Sequence, residues 1–152
     1  MNGMIQCVNE ASQTLANNTA AVKFVDTDLR TQSANCFNGW LNHNEGTASF
    51  TILAGGIYEI SFNTNYTSAT TGVIGLALFA DGVQLQGTEM DKSVSTANAW
   101  DSASINKKIR VCTRGSVTLT IRSVPTVDIA GVSTATQIPT LKNSNISIER
   151  LA

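Results

Sequence analysis

The feature that most constrains this chain is a hydrophobic period of two, repeated between glycine-containing turns. Across residues 56–66, Tyr58, Ile60, Phe62 and Tyr66 fall on one face, while Glu59, Ser61, Asn63 and Asn65 fall on the other. Because successive strand side chains point to opposite faces, this is the pattern of a half-buried strand. Residues 115–123 repeat it, with Val117, Leu119 and Ile121 inward and Thr118, Thr120 and Arg122 outward, and Ile146 and Ile148 do so near the end of the chain. Further strand candidates lie near residues 22, 38, 50 and 109. Asn44-Glu45-Gly46, Ala54-Gly55-Gly56, Asp81-Gly82 and Arg114-Gly115 each supply a glycine able to take positive φ, which tight hairpins require. With turns about every ten residues and no 3.6-residue period of useful length, the sequence predicts an all-β antiparallel sandwich. Two longer connections, 88–100 and 126–143, are expected to be loops free to carry recognition.

Bulk properties remove several function classes. The chain has 152 residues, the size of a single domain, and only 14% are charged, with a formal net charge of -1. Its Lys and Arg are scattered, so no basic footprint for nucleic acid is present. No apolar run approaches the roughly 20 residues a membrane helix needs, and the start lacks a basic segment followed by an apolar one. The expectation is a chain neither inserted in a membrane nor exported by a signal peptide. Cys7, Cys36 and Cys112 are odd in number and far apart, which suits free thiols made in a reducing compartment and leaves a Cys36 to Cys112 pairing open.

Residues able to do chemistry are sparse. The single histidine, His43, sits in the polar turn Asn42-His43-Asn44-Glu45, where backbone hydrogen bonding explains it better than catalysis. No serine is framed as Gly-x-Ser-x-Gly, and no phosphate-cradling glycine loop is present. Asp26 with Asp28, and Glu89 with Asp91, are two-residue-spaced carboxylates, yet Ca²⁺ takes about six to eight oxygens, so these pairs read as solvated loop groups. The Asn-x-Ser/Thr triplets at Asn17, Asn65 and Asn145 follow from the abundance of those residues. No catalytic, cofactor or metal residue is nominated, and the chain reads as a non-enzyme. Trp40 and Trp100 are expected mainly to pack, although Trp100 follows a polar loop and is the candidate for stacking on a sugar.

One segment departs from the half-buried pattern. In residues 72–82, Ile74, Leu76 and Leu78 share one face, but Val73, Ala77 and Phe79 on the other are apolar as well. Either the domain's own loop covers that second face or neighbouring subunits do, and the reading preferred from the sequence is subunits.

The succession of short pieces at residues 46–52, 56–62, 76–83, 115–119 and 145–151 resembles the C1q/TNF-like jelly rolls, especially versions in bacterial spore-coat and phage structural proteins. Residues 11–24 resemble the first strand of such domains, and residues 36–50 the pair that follows. The resemblance implies about ten short strands in two sheets over residues 19–152, with residues 1–18 as a leader or anchor. It also implies a compact homotrimer with aromatic and aliphatic residues near the threefold axis, and no catalysis. Val73, Ala77, Phe79, Tyr58 and Phe62 are accordingly the candidate interface. No collagen-like Gly-X-Y stalk is present. The functional expectation is therefore a virion-surface component, a phage capsid decoration or head fibre bound to the capsid or fibre protein of the same particle. The alternative is a module of a phage fibre or of a bacterial or spore surface that binds a host glycan or receptor.

Overall fold

The computed structural model describes residues 3–16, 20–30, 40–112, 115–125 and 136–152. Among these lie twelve strands: β1 (Met4–Asn9), β2 (Gln13–Thr14), β3 (Asp26–Arg30), β4 (Leu41–Asn42), β5 (Phe50–Ile52), β6 (Gly56–Thr67), β7 (Gly72–Ala80), β8 (Val83–Gln84), β9 (Met90–Val94), β10 (Asp101–Val111), β11 (Val117–Ser123) and β12 (Thr140–Arg150). The first sheet runs β10-β6-β12-β1-β3, with β2 pairing β12; the second runs β4-β5-β11-β7-β8, with β9 pairing β7. Every ladder is antiparallel, and each sheet mixes strands distant in sequence, as a jelly roll requires. No helix among the described residues is long and apolar enough to cross a membrane.

The alternation read in β6 is realised in full: Tyr58, Ile60, Phe62 and Tyr66 are buried between the sheets. Three phenylalanines link the layers. Phe24 meets Phe50 of the second sheet (centroids 5.5 Å, 67°) and Phe62 of the first (6.2 Å, 89°), the edge-to-face geometry that ring quadrupoles favour. Trp40 stacks on Tyr58 at 5.5 Å, and the Tyr58 hydroxyl donates to the Ala54 carbonyl at 2.7 Å, which keeps a buried phenol satisfied. The Asp81-Gly82 turn takes positive φ at both residues (51° and 80°), closing the β7–β8 hairpin in the sense that matches strand twist.

Several expectations need correction. The jelly roll begins inside the stretch taken as a leader. β1 lies between β12 and β3, and it puts Ile5 and Cys7 into the core because its backbone donors and acceptors complete both neighbouring ladders. Leu15 is buried as well. The supposed loop 88–100 contains β9, and 126–143 takes in the first four residues of β12. The segment near residue 22 makes isolated bridges (Ala21 with Arg122, Phe24 with Thr47) and no extended strand.

Candidate interaction surfaces

Of the five residues nominated for a subunit interface, three are closed off within the chain. Tyr58 and Phe62 are 0% exposed, because they point into the sandwich that β6 helps to build. Ala77 is also 0% exposed, although it lies on the outer side of β7. Its cross-strand partner on that side is Arg122, whose guanidinium lies 5.0 Å from the Phe79 ring centroid and whose Nε donates to Thr120 Oγ1 at 2.9 Å. A long arginine stem laid over apolar neighbours is a common way to cover such a face while keeping the charge wet. Val73 and Phe79 stay half-buried, and the Val73 carbonyl accepts from Gln137 N at 2.7 Å. The outer side of the doubly apolar strand is thus covered in part by its own chain, closed at Ala77 and half-open at Val73 and Phe79.

The surface that stands out is the opposite one, the outer face of the first sheet. Register brings Ser104, Asn63 and Asn145 into one cross-strand row and Asn106, Ser61, Ser147 and Gln6 into the next. Over β10, β6 and β12 these two rows carry no charge; the first continues through Val8 of β1 to Asp26 at the β3 edge. They are bounded at one end by the row Lys108, Glu59 and Glu149, and at the other by Ser102, Asn65 and Lys142. A bulge in β12 between Lys142 and Asn145, with Asn143 at φ 50°, dents this face into a hollow of about 310 Å³. Asn63, Asn65, Ser102, Ser104 and Asn145 line it, with Lys92 reaching in from β9. Beneath the bulge, Thr64 Oγ1 and Ser144 Oγ lie 2.8 Å apart and both residues are buried, so the irregular backbone is anchored by a satisfied polar pair. The sequence showed the polar side of β6, but joining it to β10 and β12 required a register that no single segment encodes.

At the end of this sheet Trp100 is 40% exposed, and Lys142 Nζ sits 4.1 Å from its ring centroid. Trp40, by contrast, is buried. His43 stacks on Phe50 (4.0 Å, 5°), and its Nδ1 lies 2.9 Å from the Ser49 carbonyl, an arrangement that fixes the ring as a packing group with Nδ1–H as donor. Cys7 is buried against Thr27, and burial pushes its thiol pKa up, away from reactivity. Cys112 is an exposed free thiol; Cys36, its possible partner, lies outside the described residues, as does Asn17.

Among the described residues no three His, Cys, Asp or Glu side chains gather at one point. Asp91 has its pKa raised above the ordinary 3.8, first by desolvation and then by the charge of Glu89 and a hydrogen bond to it. Folding therefore favours the protonated form. The stability contributed by this group is present below the unfolded-state value and lost as pH rises through the raised folded value. Asp91→Asn is accordingly expected to raise the thermal midpoint slightly at neutral pH. That gain should close as pH falls below the carboxylate range, which thermal melts of both proteins across the acid limb will check.

No family model and no curated protein sequence matches this chain. Solved structures do. Murine APRIL superposes with a TM-score of 0.63 at 12% identity, covering 99% of this chain and 100% of the other. The globular domain of zebrafish complement 1qA protein gives 0.61 at 11%, covering 100% and 98%. The chain has the C1q/TNF-like jelly-roll fold. Eiger TNF from S. frugiperda aligns on it at 0.60 with 10% identity, covering 100% and 92%. At such identities the C1q/TNF-like likeness is one of backbone architecture, and the surfaces described above belong to this sequence alone.

Proposed function

We propose that this chain is a non-catalytic homotrimeric module displayed on the surface of a phage particle, as a capsid decoration or head-fibre component, with the outer face of the first sheet turned toward its own copies. The observation that carries the reading is the uncharged block formed by Ser104, Asn63, Asn145, Asn106, Ser61 and Ser147. Around a threefold axis every residue near the axis meets copies of itself, so a charge there faces like charge at short range. Asn and Ser escape that penalty, since each carries both donor and acceptor and can pair with its own copy. The row Lys108, Glu59 and Glu149 borders the block at one end, Lys142 at the other and Asp26 at the β3 edge, so charge lies at its margins, as in interfaces whose centre is depleted of charge. Placement on a particle rests on the resemblance of the strand succession to phage and spore-coat structural versions of the fold. The absence of a catalytic role is supported by His43, the only histidine, being tied up in ring stacking and a backbone hydrogen bond.

Sedimentation or light scattering of the purified chain is expected to return a mass three times that of one chain at micromolar concentration. A monomer would remove the assembly part of the proposal. The chain should also appear in mass spectra of intact purified particles; its confinement to the soluble fraction of infected cells would remove the virion part.

A further inference from the structure

Between β9 and β10 the backbone turns through residues 95–100, and this loop is pinned. Asn98 N donates to the Ser68 carbonyl at 2.8 Å, Ala99 N donates to the Thr96 carbonyl at 3.2 Å, and Asn98 adopts φ 62°, a conformation asparagine tolerates better than most residues. Ser68 belongs to the connection after β6 and is itself buried, so the loop is tied to the body of the sandwich. A cleft of about 190 Å³ opens beside it, lined by Tyr66, Ser93, Ser95, Thr96, Trp100 and Asp101. That is smaller than the roughly 300 Å³ at which pockets for drug-sized ligands begin, and it suits a single small ring.

The lining restricts what that ring can be. Asp101 is held in place: its Oδ1 accepts from Ser102 N at 2.8 Å, and its Oδ2 lies 3.4 Å from the Tyr66 hydroxyl, which also donates toward the Ser93 carbonyl at 3.2 Å. Burial, reinforced by this carboxylate, pushes the Tyr66 phenol pKa up, so the hydroxyl stays a donor at neutral pH. A fixed carboxylate at the cleft disfavours phosphates and other anions. Tyr66 is itself buried and offers no open ring face, so a quaternary ammonium would find no aromatic cage. What remains is an aromatic wall, an oriented acceptor and the hydroxyls of Ser93, Ser95 and Thr96. Together they match a ring with an apolar C–H face and hydroxyls around its rim. Lys142 Nζ lies 4.1 Å from the Trp100 centroid, yet Lys142 itself does not line the cleft.

We propose that this cleft binds a neutral monosaccharide unit, with Trp100 stacking on the sugar and Asp101 accepting from its hydroxyls. The site lies beside the uncharged block and does not depend on the chain forming trimers. It is tested on the purified full-length chain, labelled with nitrogen-15, by titrating glucose, galactose, mannose and their N-acetylated amino forms, with choline as the cationic comparison. The Trp100 indole N–H peak and the backbone amides of Ser93, Ser95, Thr96 and Ala99 are expected to shift saturably with at least one sugar, while the buried Trp40 indole peak stays still. Trp100→Ala should weaken that binding about tenfold, the scale of one lost aromatic contact. Asp101→Asn should weaken it with the fold intact. Silence of these peaks with every sugar overturns the proposal, as does a response to choline in place of sugars, or an affinity unchanged in Trp100→Ala.

Discussion

Phe62→Ala is expected to destabilise the folded subunit by about 3–5 kcal/mol, the usual cost of emptying a phenylalanine-sized site in a core. The upper part of that range applies because the site has little freedom to collapse. Phe62 is fully buried, and its strand neighbours on both sides are fixed by ladders that pair it with Ile105 of β10 and Ile146 of β12. Above it, Phe24 presents an edge at 6.2 Å and in turn meets Phe50 from the second sheet. Removing the Phe62 ring leaves Phe24 paired with Phe50 but facing a gap on its other side, and dispersion contacts across that gap are forfeited. Against a typical total stability of roughly 5–15 kcal/mol, the variant sits near the threshold of folding. Urea denaturation checks it: the midpoint should fall sharply with the slope unchanged. A folded, monomeric Phe62→Ala chain of near-normal midpoint would place Phe62 at a subunit boundary and reverse the two faces of β6.

That reversal is a live distinction because residue type alone does not separate a core face from an interface face. The period of two in β6 and β11 was readable, since in each the apolar residues fall on one side and polar ones on the other, with Ile57 and Thr64 of β6 among the exceptions. The Asp81-Gly82 turn was readable because aspartate and glycine are chosen where φ must be positive. β7 was different. Apolar residues on both sides say that both faces leave water without saying what covers them, and the cover proves to include the stem of Arg122 from the neighbouring strand. β1 escaped notice because its outward residues Met4 and Val8 are apolar while its inward Asn9 is polar, its side chain satisfied by the Lys23 carbonyl and the Ala11 amide. β9, reading Met-Asp-Lys-Ser-Val, has the composition of a loop, and pairing with β7 is what makes it a strand. The uncharged block lay hidden for a related reason: its members come from three strands far apart in sequence, each contributing side chains that alone look like ordinary solvent-facing polars.

If the chain assembles as proposed, Asn63→Asp, one residue along from Phe62 and on the opposite face, is expected to dissociate the trimer while leaving each subunit folded. Asn63 is exposed in the single chain and lies at the centre of the row Ser104, Asn63 and Asn145, so a change of the same size there empties no core. In a threefold assembly the new carboxylates face one another. If they stand about 8 Å apart at an effective dielectric near 20, each pair costs ~2 kcal/mol, and the three pairs together ~6 kcal/mol, more than ten-thousandfold in association. Each carboxylate also loses hydration as the face closes. The assembled state raises the pKa of this group, so acidification should restore trimers as the carboxylates take up protons, and Asn63→Ser should assemble normally at any pH. Phe79→Asp provides the opposing measurement. Its carboxylate would fall beside Arg122, at a half-buried site outside the proposed interface, and assembly is expected to survive. Sedimentation of the two aspartate variants side by side decides which sheet meets the neighbour. Dissociation by Phe79→Asp together with an intact Asn63→Asp trimer would move the interface to the outer side of β7, and the uncharged rows would then be a solvent-facing surface.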